Sequence, residues 1–438
     1  MKLPGYVTEC LDALEAAGFA AYAVGGCVRD AVLGKEPQDY DLCTAALPEQ
    51  TQAVFRGHDL VLAGLKHGTV GVVTEHGVVE ITTFRTEGGY ADSRHPDWVR
   101  FVPNVEDDLA RRDFTVNAMA WSPKRGFRDP FGGLEDLKNH VLRAVGDPSR
   151  RFREDALRIL RGVRFASRYR LTPDPETKDA MFTLVPLMDQ LARERVFDEL
   201  CKLLMTATAQ DLLNFAPVIA GAIPELGPQI GFDQRTPYHA YDIFTHTAHV
   251  VEHVPRELTL RWAALLHDVG KPHCFTQDET GRGHFKGHAS AGAEIADGVL
   301  RRLKAPTALR EDVVLLIGQH MTRMEPDKKF LRRRLSRLGP EMLDQLLLLQ
   351  EADMCSKGVC KDEEKAQFAQ CLSLLAQIRQ EEACLSLGSL AVDGNDLLSL
   401  GFRGKAIGAC LNSLLDRVLD EQLPNQRAAL LAAAKDLL

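Results

Sequence analysis

Residues 24–41 read VGGCVRDAVLGKEPQDYD, and the fold of the first third of the chain turns on this segment. The apolar run Ala20–Val24 leading into it reads as a buried strand. Gly25 and Gly26 then let the backbone approach a ligand closely and turn its amides toward phosphate oxygens. Arg29 follows at the start of an expected helix, where the helix dipole also favours an anion. Asp39 and Asp41 are separated by one residue, and on a strand that spacing places both carboxylates on one face. Two carboxylates so placed make a hard-oxygen site for Mg2+, to which a triphosphate adds further ligands. Singly, a glycine pair is an ordinary turn and an Asp-x-Asp an ordinary solvated loop. The order strand, glycine pair, arginine, helix and Asp-x-Asp is what carries the reading.

Outward from this segment, Val70–Val73 and Val78–Thr83 flank Glu75-His76-Gly77, the pattern of a β-hairpin. Glu80 on its second strand is a third candidate acid, and reads equally as an exposed edge glutamate. Residues 1–145 are therefore expected to form an α/β head with a mixed sheet. Residues 146–230 form an all-α neck, in which Leu157, Leu160, Val163 and Phe165, then Val196, Leu200, Leu203 and Leu204, recur at helical spacing. Prolines and glycines between Pro217 and Pro237 lead into a histidine-rich helical domain over residues 231–360, followed by a helical tail over 361–438. The stretch 86–100, TEGGYADSRHPDWVR, is expected as a long polar loop, either functional or a plain surface excursion.

Composition sets the class. With 438 residues, 45% hydrophobic and 26% charged, the chain has apolar material for several soluble cores. No uncharged run approaches the roughly 18 residues needed to cross a bilayer, so no membrane partner is expected. The first residues, MKLPGYVTECLDALEAAG, carry acids in their apolar stretch and do not read as a signal peptide. Ten cysteines without a C-x-x-C pair imply reduced thiols and a cytoplasmic location. The net charge of −8 opposes RNA binding in total, but phosphates sense the local field. Residues 143–170 hold nine arginines against Asp147, Glu154 and Asp155. That stripe suits a polyphosphate or RNA backbone, or is a solvated helix face. The same two readings apply to KKFLRRRLSR over Lys328 to Arg337.

Several segments now fall in one order. Together they resemble the head and neck of the polymerase-β-like nucleotidyltransferases, in the class that groups bacterial CCA-adding enzymes with bacterial poly(A) polymerases. Besides the glycine pair and the two aspartates, LARRDFTVNAM (109–119) is similar to the family's ribose-recognition motif. DPFGGLEDL (129–137) is similar to the turn between head and neck, EDALRILRGVRF (154–165) to the nucleotide-selecting helix, and RERVFDEL (193–200) to the supporting helix after it. The resemblance implies that Asp39 and Asp41 are catalytic and hold Mg2+, with Glu80 kept as the candidate third acid. Gly25, Gly26, Arg29 and Arg112 would hold phosphates, and Asp113 would accept from a sugar hydroxyl. An in-line attack of an RNA 3′-hydroxyl on CTP or ATP would release pyrophosphate, with tRNA as the partner.

Asp155 and Arg158 are three apart, hence neighbours on one face of the expected helix 154–165. An acceptor-only carboxylate beside a donor-only fork complements the Watson–Crick edge of cytosine, or of adenine after a small shift. The resemblance assigns base choice to this pair, while a helical salt bridge is the plainer reading. Arg161 and Arg164 continue the spacing toward phosphates, or fix the Asp–Arg geometry. A poly(A) polymerase gains from a strongly basic tail, since its affinity comes from sequence-independent phosphate contacts. This chain ends NQRAALLAAAKDLL, so CCA addition is the expectation, with poly(A), C-only or A-only addition as alternatives.

The string LLHDVGKP over residues 265–272, with His246 before it and His288, His320 and Asp353 after, resembles the HD phosphohydrolase fold. The resemblance implies His246, His267, Asp268 and Asp353 as a core metal set, with His288 and His320 available for a second ion. Mixed nitrogen and oxygen ligands suit Mn2+, Ni2+, Fe2+ or Mg2+, and such ions activate water against phosphate esters. His249 and His253 share a helix with His246, which leaves open which of the three ligates. Rival readings are an HD metal-dependent phosphohydrolase with a merely nucleotide-binding head, and a non-catalytic RNA-binding protein.

Overall fold

The computed structural model describes residues 1–88, 98–359, 362–381 and 385–438. They form two compact units, Met1–Gly227 with Arg302–Lys304, and Pro228–Arg301 with Ala305–Leu438. The expected head and neck thus share one unit, and the histidine-rich domain and tail share the other. No described helix is long and apolar enough to cross a membrane.

The first unit opens with α1 (Gly5–Ala16) and β1 (Ala21–Val24), every residue of which is buried, as a central strand requires. Gly25 then takes φ 77°, a left-handed conformation that favours glycine, and α2 (Gly26–Val32) starts immediately. There follow β2 (Asp41–Thr44), α3 (Pro48–Val54), β3 (Leu60–Val61), β4 (Thr69–Thr74) and β5 (Gly77–Thr83). The strands β4 and β5 form the expected hairpin, closing with Thr74 opposite Gly77. Next, β6 (Arg85–Gly88) and β7 (Trp98–Phe101) pair antiparallel as a separate ribbon. The ends of the stretch expected as a loop are therefore strand, and its middle, residues 89–97, lies outside the described residues.

The head is completed by α4 (Val105–Leu109), β8 (Ala120–Ser122), β9 (Gly126–Arg128) and α5 (Gly133–Lys138). Its main sheet runs β3-β4-β5-β2-β1-β8-β9. Only β2 and β5 pair in parallel, so the sheet is mixed, as expected. Tyr22, Val24 and Cys43 of the sheet pack with Phe84, Val105, Leu109 and Ala118 beneath it.

The neck consists of α6 (Pro148–Glu154), α7 (Leu157–Tyr169), α8 (Pro175–Thr183), α9 (Arg193–Leu204), α10 (Ala209–Asn214) and α11 (Ala216–Ala222). Asp147 caps α6 by accepting from the amides of Ser149 at 2.9 Å and Arg150 at 3.4 Å, with Pro148 at the first helical position. The helix expected over 154–165 is broken. Asp155 is extended at φ −148°, and its Oδ1 accepts from the Leu157 amide at 3.1 Å. A short carboxylate competes well for free amides, so Asp155 stops one helix and caps the next.

The second unit holds α12 (Ile243–His253), α13 (Leu258–Leu266), α14 (His288–Arg302, except its last residue), α15 (Thr307–Gln319), α16 (Lys328–Leu338) and α17 (Pro340–Cys355). A ribbon of Thr276–Gln277 against Gly283–His284 lies between α13 and α14. The tail comprises α18 (Asp362–Gln380), α19 (Gly394–Leu400), α20 (Lys405–Leu419) and α21 (Arg427–Lys435). Leu397, Leu414 and Leu430 centre an apolar cluster of its last three helices.

Candidate active site and metal centre

In the head, β2 starts at Asp41, and the parallel register sets Asp41 opposite Glu80 of β5. Asp39 precedes the strand, so alternation does not place the two aspartates on one face; register instead sets Asp41 beside Glu80. Tyr40, between the aspartates, packs edge-on against Tyr6 with ring centroids 6.3 Å apart. All three acids are exposed. Crowding by surrounding protein atoms pushes the Asp41 carboxyl up from its ordinary value; Arg112 pulls it down, and the like charge of Asp39 adds to the rise. Among the described residues, the triads of His, Cys, Asp or Glu ligand atoms drawn within 4.8 Å of one another all lie in the second unit. The head acids are thus an open set rather than a closed cage.

Gly25 is where the backbone must be bare, because a Cβ there would stand 2.7 Å from Arg112 Nη1. Arg112 lies 3.5 Å from Asp108 Oδ2 through Nη2, and its buried Nε has no hydrogen-bond partner. Asp108 is fully buried and also accepts from Arg111 Nη2 at 2.9 Å. Burial alone would raise its carboxyl, but Arg111 and Arg112 outweigh burial and hold it below the ordinary value. This residue was missed from the sequence, although an acid three and four places before two arginines on a helical turn was a signal for it.

The structure redistributes the expected phosphate contacts. Arg29 is buried: its guanidinium donates to Asn117 Oδ1 and to the Tyr169 hydroxyl, and lies 4.1 Å from the centroid of the Tyr169 ring. It ties α2 to Tyr169 of α7. Asp113 accepts from Phe114 N at 2.8 Å and Asn117 Nδ2 at 3.0 Å on Oδ1, and from Arg161 Nε at 2.8 Å and Nη2 at 2.6 Å on Oδ2. A carboxylate offers about four lone pairs. All are filled from within the chain, so Asp113 joins the head to α7 rather than standing open to a sugar. Burial would raise its carboxyl, yet Arg161 and Asn117 hold it well below the ordinary range. Arg164 donates to Glu199 of α9 at 2.6 Å and is likewise buried.

The expected Asp155–Arg158 contact is replaced by two others. Arg195 of α9 meets Asp155 with both ends of its fork, Nη2 to Oδ2 at 2.7 Å and Nη1 to Oδ1 at 3.3 Å. Arg158 donates to Glu154 Oε2 at 2.9 Å and to the carbonyls of Arg151 and Arg111, each at 3.1 Å. The helix break at Asp155 accompanies this: the Arg158 amide still donates to the Asp155 carbonyl at 3.0 Å, but the two side chains take separate partners. The arginine stripe is also less available than its count suggests. Arg143, Arg150 and Arg170 pair with Asp174, Glu154 and Asp211, while Arg153 and Arg168 are exposed. On α16, Lys328, Arg332 and Arg333 pair with Glu381 and Asp420, so these cations of KKFLRRRLSR are answered within the chain.

The second unit gathers the expected histidines. His246 Nε2 lies 2.9 Å from Asp353 Oδ1 and 3.6 Å from Asp268 Oδ2, and His267 Nε2 lies 3.1 Å from Asp268 Oδ2. On the other oxygen, Asp268 Oδ1 is 3.5 Å from His288 Nε2 and 4.0 Å from His320 Nε2. Asp268 is therefore shared by two triads, His246–His267–Asp268 and Asp268–His288–His320. All six side chains are buried. Each histidine turns Nδ1 to a backbone carbonyl, those of Ser356, Ala264, Phe285 and Ile317, at 2.6–3.1 Å. That contact puts the proton on Nδ1 and leaves the Nε2 lone pair facing inward.

Gly270 makes the close approach possible, since a Cβ there would meet the His288 carbonyl oxygen at 2.3 Å. Lys271 Nζ lies 2.7 Å from Asp268 Oδ2, and Lys357 Nζ 3.2 Å from Asp353 Oδ2. Burial would raise both carboxyls, but the neighbouring histidines and lysines hold them well below the ordinary range. Burial pushes His320 down to about 4. Of the histidines on α12, His246 points into the cluster, while His249 packs on Tyr241 and His253 bonds Ser356 Oγ at 2.9 Å.

Comparison with known proteins bears on both sites. Residues 21–143 match the family described as Poly A polymerase head domain, and residues 238–358 the HD domain. Residues 170–214 match the family described as "Probable RNA and SrmB- binding site of polymerase A". A CCA-adding enzyme of Levilactobacillus brevis is 35% identical over 429 residues, covering 97% of this chain and 96% of that protein. One of Streptococcus suis is 45% identical over 237 residues, 51% of this chain and 58% of that one. Among solved structures, the Bacillus stearothermophilus CCA-adding enzyme in complex with CTP is similar with TM-score 0.72 and 26% identity, covering 100% of this chain and 98% of that chain. The Thermotoga maritima CCA-adding enzyme complexed with tRNA shares the fold, with TM-score 0.63 and 19% identity over 100% and 97% of the two chains.

Proposed function

The chain belongs to the CCA-adding enzyme family, and from that premise we propose how its residues divide the addition of C, C and A from CTP and ATP to the 3′ end of tRNA. It is a tRNA nucleotidyltransferase, and the reaction releases pyrophosphate. Asp39 and Asp41 hold Mg2+, with Glu80 beside Asp41 as a third acid. The residues fit that ion: three exposed carboxylates in an open set suit a cation that keeps several waters and takes substrate phosphates as ligands. Bound there, Mg2+ supplies charge neutralisation at the triphosphate and assists deprotonation of the RNA 3′-hydroxyl. Arg112, with an unpartnered Nε and its Nη1 against the bare backbone of Gly25, grips the phosphates. Asp155 and Arg158 choose the base as acceptor and donor, with Arg195 orienting Asp155 and Glu154 orienting Arg158. Arg29, Asp113, Arg161 and Arg164 hold this selecting surface against the head from behind.

The observation that carries the reading is the register of Asp41 against Glu80, since two acids from separate segments meet there and Arg112, which stands against Gly25, acts on Asp41. The test supplies tRNA lacking its terminal CCA with CTP and ATP, separately and together, and sequences the products. CCA ends formed only with both nucleotides support the reading; a long A tail places the chain with poly(A) polymerases, and no extension removes it.

A second site is favoured by the convergent Nε2 atoms. His246, His267 and Asp268, with Asp353 beside His246, would hold one divalent ion, and Asp268, His288 and His320 a second, with Mn2+, Ni2+, Fe2+ or Mg2+ all compatible with the donors. Such ions, when bound, would supply water activation against a phosphate ester such as that of a blocked RNA end. The enzyme works in the cytoplasm, where its tRNA resides and where unpaired thiols such as Cys27 and Cys43 stay reduced.

A further inference from the structure

The histidine cluster opens into a cavity of about 350 Å³, large enough for a nucleotide. Its inner wall is Asp268, His288, His320 and Asp353, together with Lys271 and Lys357, the two lysines already engaged with those carboxylates. Its outer wall carries two further cations, Arg282 and Lys286, and the ring of Tyr238. No carboxylate lies within ion-pair distance of either cation among the described residues. Arg282 lies over Tyr238, with its guanidinium carbon 4.8 Å from the ring centroid, and its buried Nε has no hydrogen-bond partner.

A surface arginine with such freedom would normally sweep through solvent, but its backbone is fixed. Asp278 Oδ1 accepts from the amides of Thr280 at 2.9 Å and Arg282 at 3.1 Å, and Oδ2 accepts from His284 Nε2 at 2.8 Å. The nearest acid of the ribbon is thus engaged in holding the turn. Gly283 donates to the Arg235 carbonyl at 2.8 Å, and a Cβ on it would meet the Gln234 oxygen at 2.2 Å, so the ribbon is pressed onto the segment leading to Tyr238. A planar fork held in place with a buried donor unsatisfied is built for a bidentate oxyanion.

We propose that Arg282 and Lys286 form a second-phosphate subsite. The cavity then takes a ribonucleotide carrying one phosphate at the histidine cluster and another on the opposite side of the same sugar, with Tyr238 beside the base. A free nucleoside bisphosphate and the terminal nucleotide of an RNA share this chemistry. The proposal rests on the metal-binding reading of the histidine cluster, and its test separates the two.

Full-length protein loaded with Mn2+ is titrated calorimetrically with uridine 3′-monophosphate and uridine 3′,5′-bisphosphate, a base that neither CTP nor ATP sites are built to select. The bisphosphate is expected to bind at least tenfold more tightly. Arg282→Gln/Lys286→Gln should erase that ratio while leaving monophosphate affinity and Mn2+ stoichiometry unchanged. Equal affinities in the unaltered protein, or a ratio that survives the double substitution, would overturn the subsite. A diuridylate ending in a 3′-phosphate forms a third arm: tighter binding than the bisphosphate identifies the RNA end, and weaker binding the free nucleotide. The metal reading is checked without nucleotide. If His267→Ala/Asp268→Ala keeps the Mn2+ content of the unaltered protein, that reading falls and takes the subsite with it.

Discussion

Arg195→Ala tests whether nucleotide choice depends on a residue that never needs to touch the nucleotide. Arg195 holds Asp155 through contacts of 2.7 and 3.3 Å, and the two side chains are 25% and 17% exposed. An exposed pair is worth about 0.2–1 kcal/mol, and a charge-assisted contact shielded from water about 1.5–3 kcal/mol. A partly covered fork falls between, so its removal should destabilise the first unit by about 1 kcal/mol and lower Tm by about 3 °C. The functional effect has another origin. Without Arg195 the Asp155 carboxylate keeps only the Leu157 amide at 3.1 Å, and must be ordered afresh at each addition. Fixing one such side chain costs about 0.5–1.5 kcal/mol, which converts to a loss of about 2- to 12-fold in discrimination. The assay is single-turnover incorporation of CTP against UTP on tRNA lacking CCA, read as a ratio of kcat/KM. Arg195→Lys keeps the charge but not the fork, and should recover Tm without recovering the ratio. A CTP/UTP ratio unchanged in Arg195→Ala, with only Tm lowered, would refute the positioning role.

Asp39→Ala and Asp41→Ala should each abolish addition by at least about 10³-fold while leaving urea unfolding unchanged, because both carboxylates are exposed. Arg161→Leu strands the buried Asp113 charge and should cost about 3 kcal/mol in urea unfolding at pH 7. Asp113 is depressed in the folded state, so its stabilisation is fully present above its ordinary value of 3.8 and is lost as pH falls through the lower folded value. The deficit of Arg161→Leu should accordingly shrink as pH falls, as the stranded carboxyl takes a proton. In the second unit, Asp268→Asn should remove both metals by elemental analysis and His288→Ala only one, with CCA addition intact in each.

What could be read from the sequence follows the range of the interactions. The strand, glycine pair and helix around Gly25 are set by neighbours in the chain, as is the hairpin over Val70–Thr83, and both stand where expected. The histidine cluster was legible because chemically distinctive residues recur in a recognisable order. The value of Glu80 was not legible. It depends on β2 lying parallel to β5, a pairing no local pattern specifies. Charge counting failed for the same reason. Arg164, Arg170 and Arg143 are answered by Glu199, Asp211 and Asp174, whose distance along the chain hides the pairing. The break at Asp155 is different, since it is local. Hydrophobic periodicity runs smoothly through it, and only the tendency of aspartate to cap, two residues before Leu157, marks the stop.

The two sites also differ in what substitution should reveal, and the difference follows from burial. Asp39, Asp41 and Glu80 are exposed, so little folding energy is stored in their side chains. Activity lost there without loss of stability is direct evidence for chemistry. Asp268 and Asp353 are buried, each within reach of histidines and a lysine, and their removal leaves those groups as uncompensated buried donors or charges. Loss of hydrolysis in Asp268→Ala alone would therefore not distinguish catalysis from collapse. Asp268→Asn keeps the shape and one acceptor oxygen but removes the charge that two ions would share. If the asparagine variant retains the thermal stability of the metal-free protein and still binds no Mn2+, the cluster is a metal centre. If it keeps its Mn2+, the shared-carboxylate arrangement is wrong however well the histidines converge.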